Sequence, residues 1–306
     1  MSLVKFDVTR SSSKWVLGDD GYLKEFTSNF PAFEFNADGS YRGVLVESQS
    51  TNLIPHSEDI SNPEWDDYDV TITTNQVIAP DGTLTADKVN FSASNNARIA
   101  EAITTSAGTY TFSFWIRTVT GNGNFRMAFF TAGKPTNTST FSVSEQWKRV
   151  SMTYSHDASS TLLCYLGYYI NTAYVQEVYF WGAQLELSPI ATSYIPTTTG
   201  TATRAADIIT LDSASQYLPP SGKLTLGWEQ KENDTIYIGP LSASISSGVR
   251  KLEFEYSSSY QKLYIDDTLI QSVTGNFDFS GMDKIELGHL SGSDHLNTNL
   301  KYLAIE

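Results

Sequence analysis

Eight consecutive residues, Tyr110-Thr111-Phe112-Ser113-Phe114-Trp115-Ile116-Arg117, alternate without a break. Tyr110, Phe112, Phe114 and Ile116 fall on one side; Thr111, Ser113, Trp115 and Arg117 fall on the other. A period of two belongs to an extended strand, since a helix would scatter these side chains around its circumference. The pattern predicts a strand with one face in a core and the other face open. Similar runs follow at 125–130, 147–154, 161–170 and 174–187, the first of them behind a hairpin signal, Gly121-Asn122-Gly123-Asn124. Strands repeated at this spacing and broken by Gly, Asn and Ser clusters indicate a sandwich or jelly roll.

The flanks read the same way. Residues 1–54 carry dense turn signals, Gly18-Asp19-Asp20-Gly21 and Ala37-Asp38-Gly39-Ser40, with short extended runs at 32–35 and 42–46. Glycine after aspartate supplies the positive φ of a tight turn. These pieces are too short to enclose a core, so they predict an N-terminal arm packed on another domain or on a neighbouring chain. Residues 55–197 are expected to form the main sandwich. The Thr-rich stretch 198–206 lacks apolar periodicity and reads as a linker. Alternating runs through 207–306, with a turn at Asp266-Asp267-Thr268, predict a second, smaller sandwich. The expected fold class is all-β: two tandem β-sandwich (jelly-roll) domains preceded by an extended N-terminal arm. Composition agrees, because aromatics make up 13% of the chain and favour a pleated, half-buried surface.

Charge narrows the partners. Twenty basic against 34 acidic residues give a formal net charge of −14, which repels phosphate backbones and argues against nucleic acid. No run approaches the ~20 apolar residues of a membrane helix. The start of the chain lacks a basic, then apolar, secretory leader, so the chain is expected to stay in the cytoplasm where it is made until lysis. Cys164 is the sole cysteine, so stability is expected to come from packing, with the thiol a small core residue between Leu162 and Leu166.

Several phrases, taken in order, resemble head- and tail-fibre proteins of bacteriophages. They are Arg42-Gly43-Val44-Leu45-Val46-Glu47 with Thr51-Asn52-Leu53-Ile54; Ser57-Glu58-Asp59-Ile60-Ser61-Asn62 with Trp65; Ala79-Pro80-Asp81-Gly82-Thr83 with Thr85-Ala86-Asp87; Trp181-Gly182-Ala183-Gln184-Leu185-Glu186; Ala191-Thr192-Ser193-Tyr194-Ile195-Pro196-Thr197; and Thr203-Arg204-Ala205-Ala206-Asp207. The resemblance implies a virion structural protein, fibre or capsid decoration, carrying a jelly roll similar to carbohydrate-binding modules. It implies a particle-surface location, assembly in the host bacterial cytoplasm, other capsid or tail proteins as partners, and a homotrimer. The last segment is similar to laminin-G or concanavalin-like sandwiches through Lys251–Tyr256, Lys262–Asp267 and Ile285–Gly288.

Glycan binding requires flat aromatic faces with hydrogen-bonding groups beside them. Trp115, Arg117, Arg126, Tyr165 and Tyr179 are the candidate platform, Tyr169 being a further outward-facing ring. The competing reading is that this second face packs against the N-terminal arm or a sister subunit, since interfaces favour the same residues. A structural Ca²⁺ would draw on Asp87 or Glu186; Asp81, before Gly82, reads instead as a turn residue. Enzymatic signatures are missing. His56, His156, His289 and His295 show no metal spacing, no serine sits in a nucleophile elbow, and no carboxylate pair stands out for glycoside hydrolysis. The expectation is a non-enzymatic protein that contacts host-surface glycans, with a purely structural anchor as the alternative and a glycan-degrading tail enzyme as a remote one.

Overall fold

A computed structural model describes residues 7–131, 134–157, 159–212, 221–230, 234–238, 241–245, 247–277, 284–287 and 298–305. The chain is all-β, and the described residues contain no helix. It divides into two compact units, one made of Ser50–Thr203 and the other of Met1–Gln49 together with Arg204–Glu306.

The middle unit is a sandwich of two five-stranded antiparallel sheets. The first runs Lys134–Val143, Gly123–Thr131, Ser160–Tyr168, Arg98–Thr105, Asp66–Tyr68. The second runs Lys148–His156, Gly108–Thr118, Glu177–Glu186, Ala86–Phe91, Val70–Val77. Tyr110, Phe112, Phe114 and Ile116 enter the core as their alternation predicts, opposite Phe125, Met127 and Phe129. Phe180 is central, meeting Phe91, Phe114 and Phe125 edge-on at 5.3–6.3 Å, the geometry aromatic quadrupoles favour. Cys164 is fully buried in this core, and burial raises its thiol pKa well above the ordinary value.

One local expectation changes. Gly121-Asn122-Gly123-Asn124 does not close a hairpin, because the strands on either side, Gly108–Thr118 and Gly123–Thr131, belong to opposite sheets. Gly121, at φ +68, turns the chain across the sandwich instead.

The other unit corrects the expected divisions. Residues 1–54 are not a separate arm. Tyr41–Val46 hydrogen-bonds to Thr298–Ile305, and Phe33–Phe35 adds beyond it, so both sit at one end of a seven-stranded sheet formed with the C-terminal strands. Asp7–Thr9 pairs with Ile208–Asp212. Short strands with one apolar face complete a core only as part of a larger sheet; here Val8, Val44 and Val46 join Leu224, Leu226, Trp228, Leu252, Phe254 and Leu263. Nor is 198–206 a plain linker, since Ala202–Arg204 pairs with Ser50–Asn52. Turn chemistry behaves as read. Gly21 and Gly39 take positive φ, and Asp266 and Asp267 (φ 49 and 66) join Tyr260–Ile265 to Thr268–Thr274. Two consecutive positive φ values match the right-handed strand twist.

Candidate functional site

The expected platform residues separate onto two sheets. Trp115, Arg117 and Tyr179 lie on the second sheet of the middle unit, and Arg126 and Tyr165 on the first.

The outward face of the second sheet is not open where Trp115 stands. Thr111 and Ser113 are buried, and Trp115 is only 9% exposed. The cover is the segment after Glu186. Tyr194 lies on Trp115 and Trp181 at 5.3 and 4.6 Å, and Arg149 stacks over Trp115 at 4.5 Å. Gly182 makes room: at φ +68 it forms an irregularity in the strand, and a Cβ there would come within 2.9 Å of the Trp115 ring. Buried polar groups fasten the cover. Asn52 donates from Nδ2 to the carbonyls of Ala183 and Ile195 and accepts from the amides of Ile54 and Leu185. Gln184 accepts from the Ile195 amide at 2.8 Å. Glu186 accepts from the Ser50 hydroxyl and from the Thr192 amide and hydroxyl. Trp115 is therefore a packing residue rather than a ligand-facing one.

Arg117 and Tyr179 stay half-buried on the uncovered part of this face. The Arg117 guanidinium lies over both Tyr179 and Trp147, at 5.0 and 5.3 Å, so it occupies a face of each ring. Trp147 anchors its indole N–H on the Ile78 carbonyl at 3.0 Å.

The first sheet carries a different aromatic group on its outward face. Tyr165 is flanked across the ladder by Ala100 and Ala128, whose small side chains let its ring lie down. Phe130 contacts it at 4.4 Å and Tyr168 at 5.6 Å, forming an apolar cluster outside the sandwich core. Tyr165 is consequently 8% exposed, whereas Tyr169 and Tyr68 present their rings at 36% and 47%. Tyr168 touches Tyr169 at 5.8 Å. Arg98, register partner of both Tyr68 and Tyr168, stacks on Tyr68 at 4.8 Å. Tyr169 is held at φ +56, a conformation uncommon for a bulky residue. Arg126 sits on the same face, over Tyr174 at 4.8 Å. Tyr168 escapes a sequence reading because the register shift at Ile99 and Ala100 leaves Leu166 as an extra residue in the opposite strand and resets which residues beyond it face outward. The alternation of 161–170 holds only as far as Leu166.

The two calcium candidates do not share a site. Asp87 pairs in register with Phe180, and Glu186 lies six residues further along that strand, roughly 20 Å away. Glu186 spends its oxygens on the hydrogen bonds above. Asp87 accepts from the Asn75 amide, and burial, with Asp59 nearby, raises its pKa to about 6. Among the described residues no three His, Cys, Asp or Glu side chains cluster as a metal set. Asp81 accepts from the amide and hydroxyl of Thr83, the turn role its sequence indicates. His289 and His295 lie outside the described residues.

In the other unit an open groove of about 640 Å³ is lined by Lys223, Glu253, Glu255, Tyr260, Tyr264 and Asp267. Its neighbouring carboxylates are engaged. Lys223 meets Glu253 at 2.7 Å, and the hydroxyls of Tyr260 and Tyr264 donate to Glu255, lowering its pKa. A general acid requires the opposite shift.

No protein-family model matches the chain, and neither does any curated protein. Several solved structures align with it at low identity. A structure described as CBM4 aligns over 47% of this chain and 96% of its own, with 13% identity and a TM-score of 0.32. The tandem CBM22-1-CBM22-2 domain of Xyn10C from Paenibacillus barcinonensis aligns over 86% and 98%, with 11% identity and a TM-score of 0.34. The enzymatically active domain of tailspike protein 4 from bacteriophage CBA120 aligns over 44% of this chain and 21% of its own, with 13% identity and a TM-score of 0.31.

Proposed function

We propose that the chain is a non-catalytic structural protein of a bacteriophage particle, a head fibre, tail fibre or capsid decoration, whose middle unit holds host-surface glycans. The observation that carries glycan holding is the aromatic group on the outward face of the first sheet. Tyr165, Tyr168, Tyr169 and Tyr68 stand there outside the core, with the guanidinium groups of Arg98 and Arg126 beside them. Rings lying along a sheet accept the C–H faces of sugars, and guanidinium groups donate to hydroxyls. The ordered phrases between Arg42 and Asp207 support the virion reading through their resemblance to fibre proteins. In this proposal the particle surface is the working location, other virion proteins are the permanent partners, and a homotrimer is the assembled form.

The full chain on a glycan array tests the first part. Binding to a subset of bacterial surface glycans, weakened at least tenfold (about 1.4 kcal/mol) by Tyr168→Ala and Tyr169→Ala, is the expected result. An array without any signal would leave the anchoring role alone. Release of reducing sugar from the bound glycan would move the protein to the enzymes. Labelling purified virions with an antibody to the chain tests the location, and sedimentation equilibrium tests the trimer.

A further inference from the structure

Five charged side chains are buried together in the unit made of residues 1–49 and 204–306: Arg10, Lys14, Glu47, Arg204 and Asp207, none more than 2% exposed. Glu47, Arg204 and Asp207 belong to the fibre-like phrases, which glycan holding in the other unit leaves unexplained. At the centre of the group, the Lys14 amine stands 2.5 Å from Oδ2 of Asp207 and 3.0 Å from Oε2 of Glu47. Arg10 donates from Nη1 to the other oxygen, Oδ1, at 2.7 Å, and the Glu47 amide donates to Oδ2 at 2.8 Å. Three chain segments thus hold an amine, a carboxyl carbon and a second carboxylate in contact, away from water.

We propose that Lys14 and Asp207 condense to a side-chain amide, an isopeptide bond, with Glu47 carrying the proton. With Nζ 2.5 Å from Oδ2, the bonded Cγ lies at most one C–O bond (about 1.2 Å) farther, within range of the ~3–3.5 Å of a near-attack geometry. Burial, the largest influence, lowers the pKa of the amine, which favours its nucleophilic neutral form. Glu47 takes a proton from the ammonium group, and Nζ attacks Cγ of Asp207. The Arg10 guanidinium holds the negative charge that develops on Oδ1. Glu47 returns its proton to Oδ2, a second proton from nitrogen follows, and the Cγ–Oδ2 bond breaks to release water. Of the three ammonium protons one remains on the amide nitrogen and two leave in the water. A buried ion pair becomes a neutral amide, and Glu47 ends as it began. No oxidant or further reactant enters. The bond joins positions 193 residues apart in sequence.

The intact mass of the purified full chain, measured after denaturation, decides the matter. The expected value is one water, about 18 Da, below the sequence mass, with a branched proteolytic peptide joining the segments of Lys14 and Asp207. Glu47→Ala and Asp207→Ala are expected to restore the full mass in protein with an unchanged β circular-dichroism spectrum. Should either variant fail to fold, the wild-type mass and peptide map still give the answer. Folded wild-type chain that keeps its full mass after prolonged incubation overturns the proposal. So does a lost water that maps to an Asp-Gly site, at Asp20, Asp38 or Asp81, rather than to the Lys14–Asp207 pair.

Discussion

Trp115 and Trp181 face one another across paired strands, ring centroids 5.4 Å apart at 64°, on the side of their sheet away from the phenylalanine core. Tyr194 closes over both. The sheet is thereby packed on both faces at this pair, and the indole that sequence alternation offers to solvent belongs to the unit's interior.

Replacing Trp115 is accordingly a stability experiment. Trp115→Ala is expected to cost about 3–5 kcal/mol, as large-to-small changes at buried aromatic sites do. Urea unfolding checks the loss. Glycan affinity of the folded fraction is expected to stay within twofold, in contrast to Tyr168→Ala.

Gly182→Ala isolates the backbone that makes the stacking possible. A Cβ at φ +68, within 2.9 Å of the Trp115 ring, forces either the strand irregularity or the indole to move. The expected destabilisation is about 1–3 kcal/mol. Near-ultraviolet circular dichroism, which reports the indole surroundings, is expected to change as well.

Asn52→Ala removes four hydrogen bonds, to two carbonyls and two amides, from one buried side chain. The groups left behind have little access to water, so a loss of about 2–4 kcal/mol is expected from thermal or urea unfolding. Amide exchange at Leu185 and Ile54, whose N–H groups lose their acceptor, is expected to quicken more than exchange in the core strands.

Glu101 gives the middle unit an acid-side stability. Burial, and secondarily the charge of Glu64, raises its pKa to about 7. The folded state therefore binds a proton that the unfolded chain, titrating near ~4.3, releases. This contribution is fully present below the unfolded value and is lost as pH rises through about 7. Asp87, raised to about 6, acts in the same direction over a lower window. The urea midpoint is expected to rise between pH 8 and pH 5, and Glu101→Gln is expected to flatten that rise. An unchanged slope in the variant would show that other groups control it.

Local information carried the strands well and their neighbours poorly. Tyr110, Phe112, Phe114 and Ile116 could be assigned to a core because alternation over eight residues is a property of the strand alone. Whether Thr111, Ser113 and Trp115 face water depends on residues 188–197, more than seventy positions away, and no period encodes that. Tyr165 was recognisable as outward-facing. Tyr168 was not, because a one-residue irregularity reverses the faces between them. The short runs at 33–35 and 41–46 looked like an arm because the strand that Tyr41–Val46 joins, Thr298–Ile305, lies some 250 residues downstream. Glu186 carries no local mark separating a metal ligand from an acceptor for Ser50 and Thr192.

The insertion of Ser50–Thr203 into the surrounding unit sets an order for synthesis. Glu47 and Asp207, on either side of the inserted stretch, share a backbone hydrogen bond of 2.9 Å, so the insert leaves and re-enters its host at neighbouring points. A ribosome delivers every strand of the middle unit before it delivers Thr298–Ile305. The usual vectorial sequence, amino-terminal domain first, is therefore inverted. Asp7–Thr9 and Tyr41–Val46 wait for their partners Ile208–Asp212 and Thr298–Ile305 while the unit that follows them matures.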